Sequence, residues 1–274
     1  MLAMIAAALA WFGGTQVPAP QIEWVDCAEF TKVDAGVKAE CGYLRTREQR
    51  TNPKSRIIGV PFAIVRNGNR TSDDPIFFFT GGPGNRAIPR TIHALDSNFG
   101  GRDLIFFEQR GTALADPVLH CPGYAEERQR AQRGEIDGAA LDRGLIAIAK
   151  GCIAEARKAG ADLSGYTTKA IADDVEELRI LLGAKRINLM GLSYTGKVVS
   201  EYARDYPAST RAVVANTPLT VEANYDETAS KATHESLDMV SPPARRTRPA
   251  TRPIPRSPGS LPRSWTGRPA TPGA

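Results

Sequence analysis

Residues 187–207, INLMGLSYTGKVVSEYARDYP, restrict the fold more than any other stretch of this chain. Residues 187–190 have the length and apolarity of a short buried strand. The segment Gly191-Leu192-Ser193-Tyr194-Thr195-Gly196 supplies a tight turn, and residues 197–206 have a helical pattern that Pro207 closes. A serine on a sharp strand-to-helix turn carries its hydroxyl out of the sheet, toward incoming substrate. Ser193 is therefore the candidate nucleophile; the competing reading makes it an ordinary N-cap of the helix that follows.

The rest of the chain repeats the strand-then-helix pattern. Residues 41–45 and 57–65 (IIGVPFAIV) predict a first hairpin or edge region, with turn chemistry in TNPKS between them. IFFF at 76–79 and LIFF at 104–107 are short continuous apolar runs of the kind found in strands buried on both faces. The spacing of Leu141, Leu145, Ile148 and Cys152 predicts helix within 124–161. A clearer helix is expected over 168–182, where Ile171, Val175, Leu178 and Leu182 share a face. Its acids, Asp173, Asp174, Glu176 and Glu177, read as a solvated surface without a catalytic role. With a further strand at 212–215, the alternation predicts the α/β fold class, a mostly parallel sheet with helices on both faces.

Two loops end the apolar strands. Thr80-Gly81-Gly82-Pro83-Gly84 brings bare backbone N–H groups to the carboxyl edge of the sheet, where open α/β sheets place their sites. The loop is half of an oxyanion hole or, alternatively, a tight turn without chemistry. In Glu108-Gln109-Arg110-Gly111-Thr112, Glu108 and Arg110 are expected to brace the loop beneath the site, a catalytic carboxylate being the lesser reading.

The net charge of +5 invites a search for polyanion binding, but its location decides the matter. Residues 241–274 hold seven Arg, nine Pro and no acid, leaving the first 240 residues at −2. Such a segment lacks the apolar residues for a core and is expected to be disordered. A change of composition this abrupt is also what a shifted reading frame produces. An Arg-rich arm for nucleic acid competes with a tail of no selected role, and nucleic acid is not the expected partner. At the other end, the apolar run 2–12 is too short to span a bilayer and suits an export signal over 1–20, against a buried N-terminal helix. No stable membrane span is expected.

Cys27, Cys41, Cys121 and Cys152 include no CxxC pair, and His93, His120 and His234 are scattered, so neither metal nor cofactor is expected. Two disulfides suit an exported protein, and three connectivities are open. Cys27 with Cys41 and Cys121 with Cys152 are favoured because each closes a local loop; four buried free thiols are the alternative.

A Gly-x-Ser pair preceded by a buried strand, followed by a helix and accompanied by a Gly-rich strand-end loop is a specific combination. Here the chain resembles the α/β-hydrolase family, in particular its prolyl iminopeptidases and tripeptidyl-aminopeptidase-like exported peptidases. The resemblance is carried by GGPG at 81–84, EQRGT at 108–112, YTTKAIADDVEELRILLGAKRINLMGLSY at 166–194 and EYARDYP after it, and it covers residues 25–220. The placement of Cys41, Cys121 and Cys152 is also similar to the exported members. The resemblance implies that Ser193 forms the acyl-enzyme and that the N–H groups of Gly82 and Tyr194 receive the oxyanion. Gly81, Pro83, Gly84 and Gly191 would be structural residues of the two loops.

Two departures stand out. Thr195 occupies the position where the motif has Gly, with Gly196 one place later, and a β-branched side chain there is expected to crowd the elbow. The family order, Ser then Asp then His, would place acid and base beyond residue 274, after a helical cap. Residues 221–240 read as the start of that cap or as a linker, and the domain as lacking its C-terminal part. His234 comes too soon to be the base. The expectation is an exported serine peptidase, a periplasmic, cell-envelope or secreted aminopeptidase acting on a peptide or a small ester or amide, impaired as it stands for want of triad Asp and His. The alternatives are an esterase or lipase-like hydrolase, or a non-catalytic remnant with a basic interaction tail.

Overall fold

The computed structural model describes residues 20–95 and 99–246. The apolar run 2–12, expected to be an export signal, and residues 247–274 of the basic tail lie outside them. The chain divides into two units, residues 1–222 and 223–274. The first contains β1 (Gln21–Val25), β2 (Lys32–Val33), β3 (Ala39–Arg47), β4 (Ile57–Val65), β5 (Ile76–Phe79), β6 (Thr91–Ile92), β7 (Leu104–Phe107), α1 (Tyr124–Gln132), α2 (Gly138–Lys158), α3 (Thr168–Leu181), β8 (Ile187–Leu192), α4 (Thr195–Asp205) and β9 (Thr210–Asn216). The second contains α5 (Tyr225–Arg246).

Seven strands form one mixed sheet in the order β1-β3-β4-β7-β5-β8-β9, and β2 pairs with β6 in a small second sheet. The β1–β3, β3–β4 and β4–β7 ladders are antiparallel. The β7–β5, β5–β8 and β8–β9 ladders are parallel. From β5 the chain crosses to β7 on one side and then returns to β8 on the other. This change of direction puts the carboxyl ends of β5 and β8 side by side, with Phe79 opposite Gly191, the position where open α/β sheets leave a crevice.

Burial explains the apolar runs. Every residue of β4 from Ile58 to Val65 is buried, as a strand with neighbours on both edges and packing on both faces requires. On one face Phe77, Phe79, Phe107, Ile187 and Leu189 pack against Val175 and Leu178 of α3 and Val199 and Tyr202 of α4. On the other, Cys41, Ala63 and Val65 pack with Phe30, Ile88 and Ile92, contributed by the connecting segments around β2 and β6. The helices of this core are thus α3 and α4, while loops close the opposite face over β3 and β4.

The helices begin where local chemistry allows. Asp137 caps α2 by accepting from the Ala140 N–H at 2.7 Å, and Thr167 caps α3 by accepting from Ala170 N–H at 3.1 Å. Leu141, Leu145, Ile148 and Cys152 form the half-buried side of α2, which packs with α1. Cys121 joins Cys152, and Cys27 joins Cys41, with Cα separations of 5.4 and 5.0 Å; both are the favoured pairs.

Two expectations change. The acids of α3 are not a solvated surface: Asp174 is fully buried and none of Asp173, Glu176 and Glu177 is exposed, because each is drawn inward by a cation or hydroxyl. Glu176 accepts from the Tyr202 hydroxyl and Glu177 from Arg50 and Thr46. In the second unit, α5 carries helical backbone through residues 241–246, which composition assigns to disorder. Extending an existing helix by a turn costs far less than starting one.

Candidate active site

Leu192 ends β8 and Thr195 begins α4, so two residues make the whole turn. Ser193 takes a backbone φ of 55°, which a side chain rarely adopts and which the surroundings must therefore enforce. They do so from both sides. The Ser193 N–H donates to the Asn216 carbonyl at the end of β9 (3.0 Å), and its own carbonyl accepts from the N–H groups of Gly196 and Leu219 (both 2.9 Å). The serine side chain is left exposed, and its Oγ makes no hydrogen bond among the described residues.

Glycine is required on either side of the turn for lack of room. A Cβ on Gly191 would stand 2.8 Å from the Thr195 carbonyl oxygen, and one on Gly196 would stand 2.5 Å from Pro218 Cβ. Thr195 itself fits. Its side chain is wholly buried, and Oγ1 accepts from the Leu192 N–H at 2.8 Å while lying 2.9 Å from the Leu192 carbonyl. The crowding expected of a β-branched residue is absorbed because its hydroxyl bridges the turn, and Ser193 keeps its left-handed backbone.

The glycine loop after β5 comes to the same place. Gly81 is buried against Ser193, while Gly82, Pro83 and Gly84 are exposed beside it. Gly82 has φ 116° and Gly84 φ 96°, and the Gly82–Pro83 peptide is cis. The N–H groups of Gly82 and Tyr194 make no hydrogen bond to another described group. The Tyr194 hydroxyl lies 3.0 Å from Thr168 Oγ1, which fastens the residue after the serine to the start of α3.

Behind this loop stands the Glu-Gln-Arg-Gly segment that follows β7. Glu108 is inaccessible to solvent; its Oε1 accepts from the N–H groups of Ala87 (2.9 Å) and Ile88 (2.8 Å), and its Oε2 has no partner among the described residues. Burial pushes this carboxyl up to about 7, against the opposing effect of the two N–H donors and of Arg86. Gln109 donates to the Thr80 carbonyl at 3.2 Å. Arg110 forms a buried two-point pair with Asp174 of α3 (2.8 and 2.6 Å) and donates also to the carbonyls of Glu48 (2.7 Å) and Gly165 (2.6 Å). A serine thus sits at the mouth of two loops, one built of backbone donors and both tied to the sheet from behind.

Comparison with known proteins agrees with this architecture. Residues 74–240 match the family model described as the alpha/beta hydrolase fold.

The chain belongs to the α/β hydrolase fold family.

Among curated relatives, this hydrolase-fold chain is 24% identical over 206 residues to the tripeptidyl aminopeptidase of Streptomyces coelicolor, covering 70% of this chain and 37% of that protein. It is 24% identical over 215 residues to the serine protease Hip1 of Mycobacterium tuberculosis, covering 70% and 38%. The chain therefore spans less than half the length of these relatives. A solved proline iminopeptidase of Mycobacterium smegmatis superposes with a TM-score of 0.41 at 14% identity, covering 70% of this chain and 54% of the other.

His93 is exposed and pairs with Asp34 at 2.6 Å, and His120 lines a groove beside the Cys121–Cys152 bridge. His234 lies on α5, in the second unit. Among the described residues no three His, Cys, Asp or Glu side chains are grouped to hold a metal. Ser193, the glycine loop and Glu108 carry local signals in the sequence, whereas Asp174 and Gln109 as supports do not, because an acid on a helix and an amide in a loop show no sign in sequence of the distant group each meets.

Proposed function

We propose that this chain is the nucleophile-bearing part of an exported serine peptidase, cleaving amino-terminal residues or short peptides through an acyl-enzyme on Ser193. What carries the reading is the exposed hydroxyl of Ser193 on a strand-to-helix turn at φ 55°, against the glycine loop. Attack by Oγ on a carbonyl carbon forms a tetrahedral intermediate whose oxygen becomes negative. The unengaged N–H groups of Gly82 and Tyr194 are the donors for it, and donors of this type are worth about 3 to 4 kcal/mol each. The two disulfides favour an oxidising, extracytoplasmic destination.

Serine needs a base to take its proton, and none touches Ser193 among the described residues. Turnover by this chain is accordingly low in this reading, the loss being on the order of 10⁶ when a triad base is removed. The test uses a fluorophosphonate with imidazole added as a soluble base. Peptide mapping is expected to find the adduct on Ser193, to find its formation accelerated by imidazole, and to find none in Ser193→Ala. A folded protein that stays unlabelled at saturating probe and imidazole overturns the reading. Comparing aminoacyl p-nitroanilides with short p-nitrophenyl esters under the same conditions separates peptidase from esterase.

A further inference from the structure

Between β5 and β6 the chain runs through the glycine loop and returns at Ala87 and Ile88 without regular secondary structure, Arg86 within it donating to the carbonyls of Ile88 (2.7 Å) and Phe30. The two ends of this excursion are nonetheless fixed, by two consecutive residues. At the near end Gln109 Nε2 donates to the Thr80 carbonyl at 3.2 Å. At the far end a single oxygen, Glu108 Oε1, accepts from both the Ala87 and Ile88 N–H groups at 2.9 and 2.8 Å. Both side chains are buried, and both come from the turn that directly follows β7.

The Glu108 carboxyl has little other use. It is inaccessible to solvent, its second oxygen is unpartnered among the described residues, and the charged group acting on it is Arg86, itself part of the loop. A buried carboxyl held by nothing but two loop amides is costly for stability alone, since burying an incompletely satisfied polar group is unfavourable. The loop it holds is the one in contact with Ser193: a Cβ on Gly81 would lie 3.3 Å from Ser193 Oγ. A donor must sit within about 0.5 Å of its productive place to stabilise a developing charge.

We propose that Glu108 is a positioning residue for the oxyanion loop: by gripping the Ala87 and Ile88 amides it sets where the Gly82 N–H stands relative to Ser193, with Gln109 fixing the other end. The proposal rests on Ser193 being the nucleophile. It assigns Glu108 no proton transfer and no contact with substrate. Because a neutral amide oxygen accepts the same two N–H groups, Glu108→Gln preserves the grip, whereas Glu108→Leu abolishes it.

The experiment measures two quantities on the full chain with its disulfides intact. The first is amide hydrogen exchange at Ala87 and Ile88; the second is phosphonylation of Ser193 by a fluorophosphonate, with imidazole present, resolved into half-saturating concentration and maximal rate. For Glu108→Leu, exchange at both amides is expected to accelerate at least tenfold. The maximal rate is expected to fall at least tenfold with the half-saturating concentration little changed, because the probe still binds while its developing charge is poorly met. Glu108→Gln should stay within about threefold of the parent on both measures. If the leucine variant does not fold, Gln109→Leu, which frees the other end, is expected to show the same loss of maximal rate.

Unaltered exchange in folded Glu108→Leu overturns the grip. Accelerated exchange with an unchanged phosphonylation rate overturns the link to Ser193. A parent protein that is never labelled, while its exchange still responds to Glu108→Leu, counts against the nucleophile and in favour of the grip, so the two ideas fail separately.

Discussion

Gly81 and Ser193 approach so closely that a side chain at 81 has no space: its Cβ would stand 2.8 Å from Ser193 Cβ and 3.1 Å from the Leu192 carbonyl oxygen. Neither can yield, because Ser193 is pinned through its N–H and its carbonyl. The glycine loop would have to retreat instead. Gly81→Ala is expected to lower Ser193 phosphonylation at least tenfold and stability by about 1 to 3 kcal/mol, the usual cost of overpacking. Probe kinetics and urea unfolding check this, and a variant matching the parent in both would show that the contact does not constrain the site.

Thr195 turns a departure from the family motif into a support. Its buried hydroxyl accepts from the Leu192 N–H at 2.8 Å and can donate to the Leu192 carbonyl. Thr195→Val keeps the shape and removes the acceptor, leaving a backbone donor without its partner at the start of the turn. A loss of about 1 to 3 kcal/mol in urea unfolding is expected. Thr195→Ser retains the hydroxyl and should cost markedly less; a loss in Thr195→Ser as large as that in Thr195→Val would show that the hydroxyl bond to the Leu192 N–H is not the dominant contribution.

How much of this was legible in the sequence depends on where each residue finds its partner. The strands at Ile76–Phe79 and Leu104–Phe107 were readable to the residue, because a continuous apolar run between turn residues has few other uses. The elbow was readable because strand, glycine, serine and helix are adjacent in the chain. β1, Gln21–Val25, was not: its alternation of Ile22 and Trp24 with Gln21 and Glu23 covers only five residues, and as an edge strand it has no buried residue. Asp174 was misread for the same kind of reason. Its partners Arg50 and Arg110 lie 124 and 64 residues away, and only the folded sheet brings them to α3.

The Arg110–Asp174 pair is nearly inaccessible on both sides, at 1% and 0% side-chain exposure. Removing one member leaves the other charge buried, which typically costs 3 to 5 kcal/mol. Asp174→Ala is expected to lose about that much in urea unfolding. Arg110→Lys should also be severe, because a single ammonium cannot reproduce the planar grip on a carboxylate and two carbonyls. A double variant, Arg110→Met with Asp174→Leu, should lose less than the sum of Arg110→Met and Asp174→Leu measured separately; strict additivity would show that the two residues do not act as a pair.

Glu108 makes stability depend on pH in a direction that can be worked out. Its carboxyl is raised from 4.5 to about 7 in the folded protein, so between those values the folded chain keeps a proton that the unfolded chain releases. The stability this group contributes is therefore fully present below pH 4.5, is lost as pH rises to about 7, and changes little above. The displacement corresponds to roughly 3 kcal/mol. Glu108→Gln is neutral throughout, so the variant should gain on the parent by about that amount between pH 4.5 and pH 8, measured by urea unfolding with disulfides intact. A constant difference between variant and parent across this range would mean that the buried carboxyl titrates at its ordinary value.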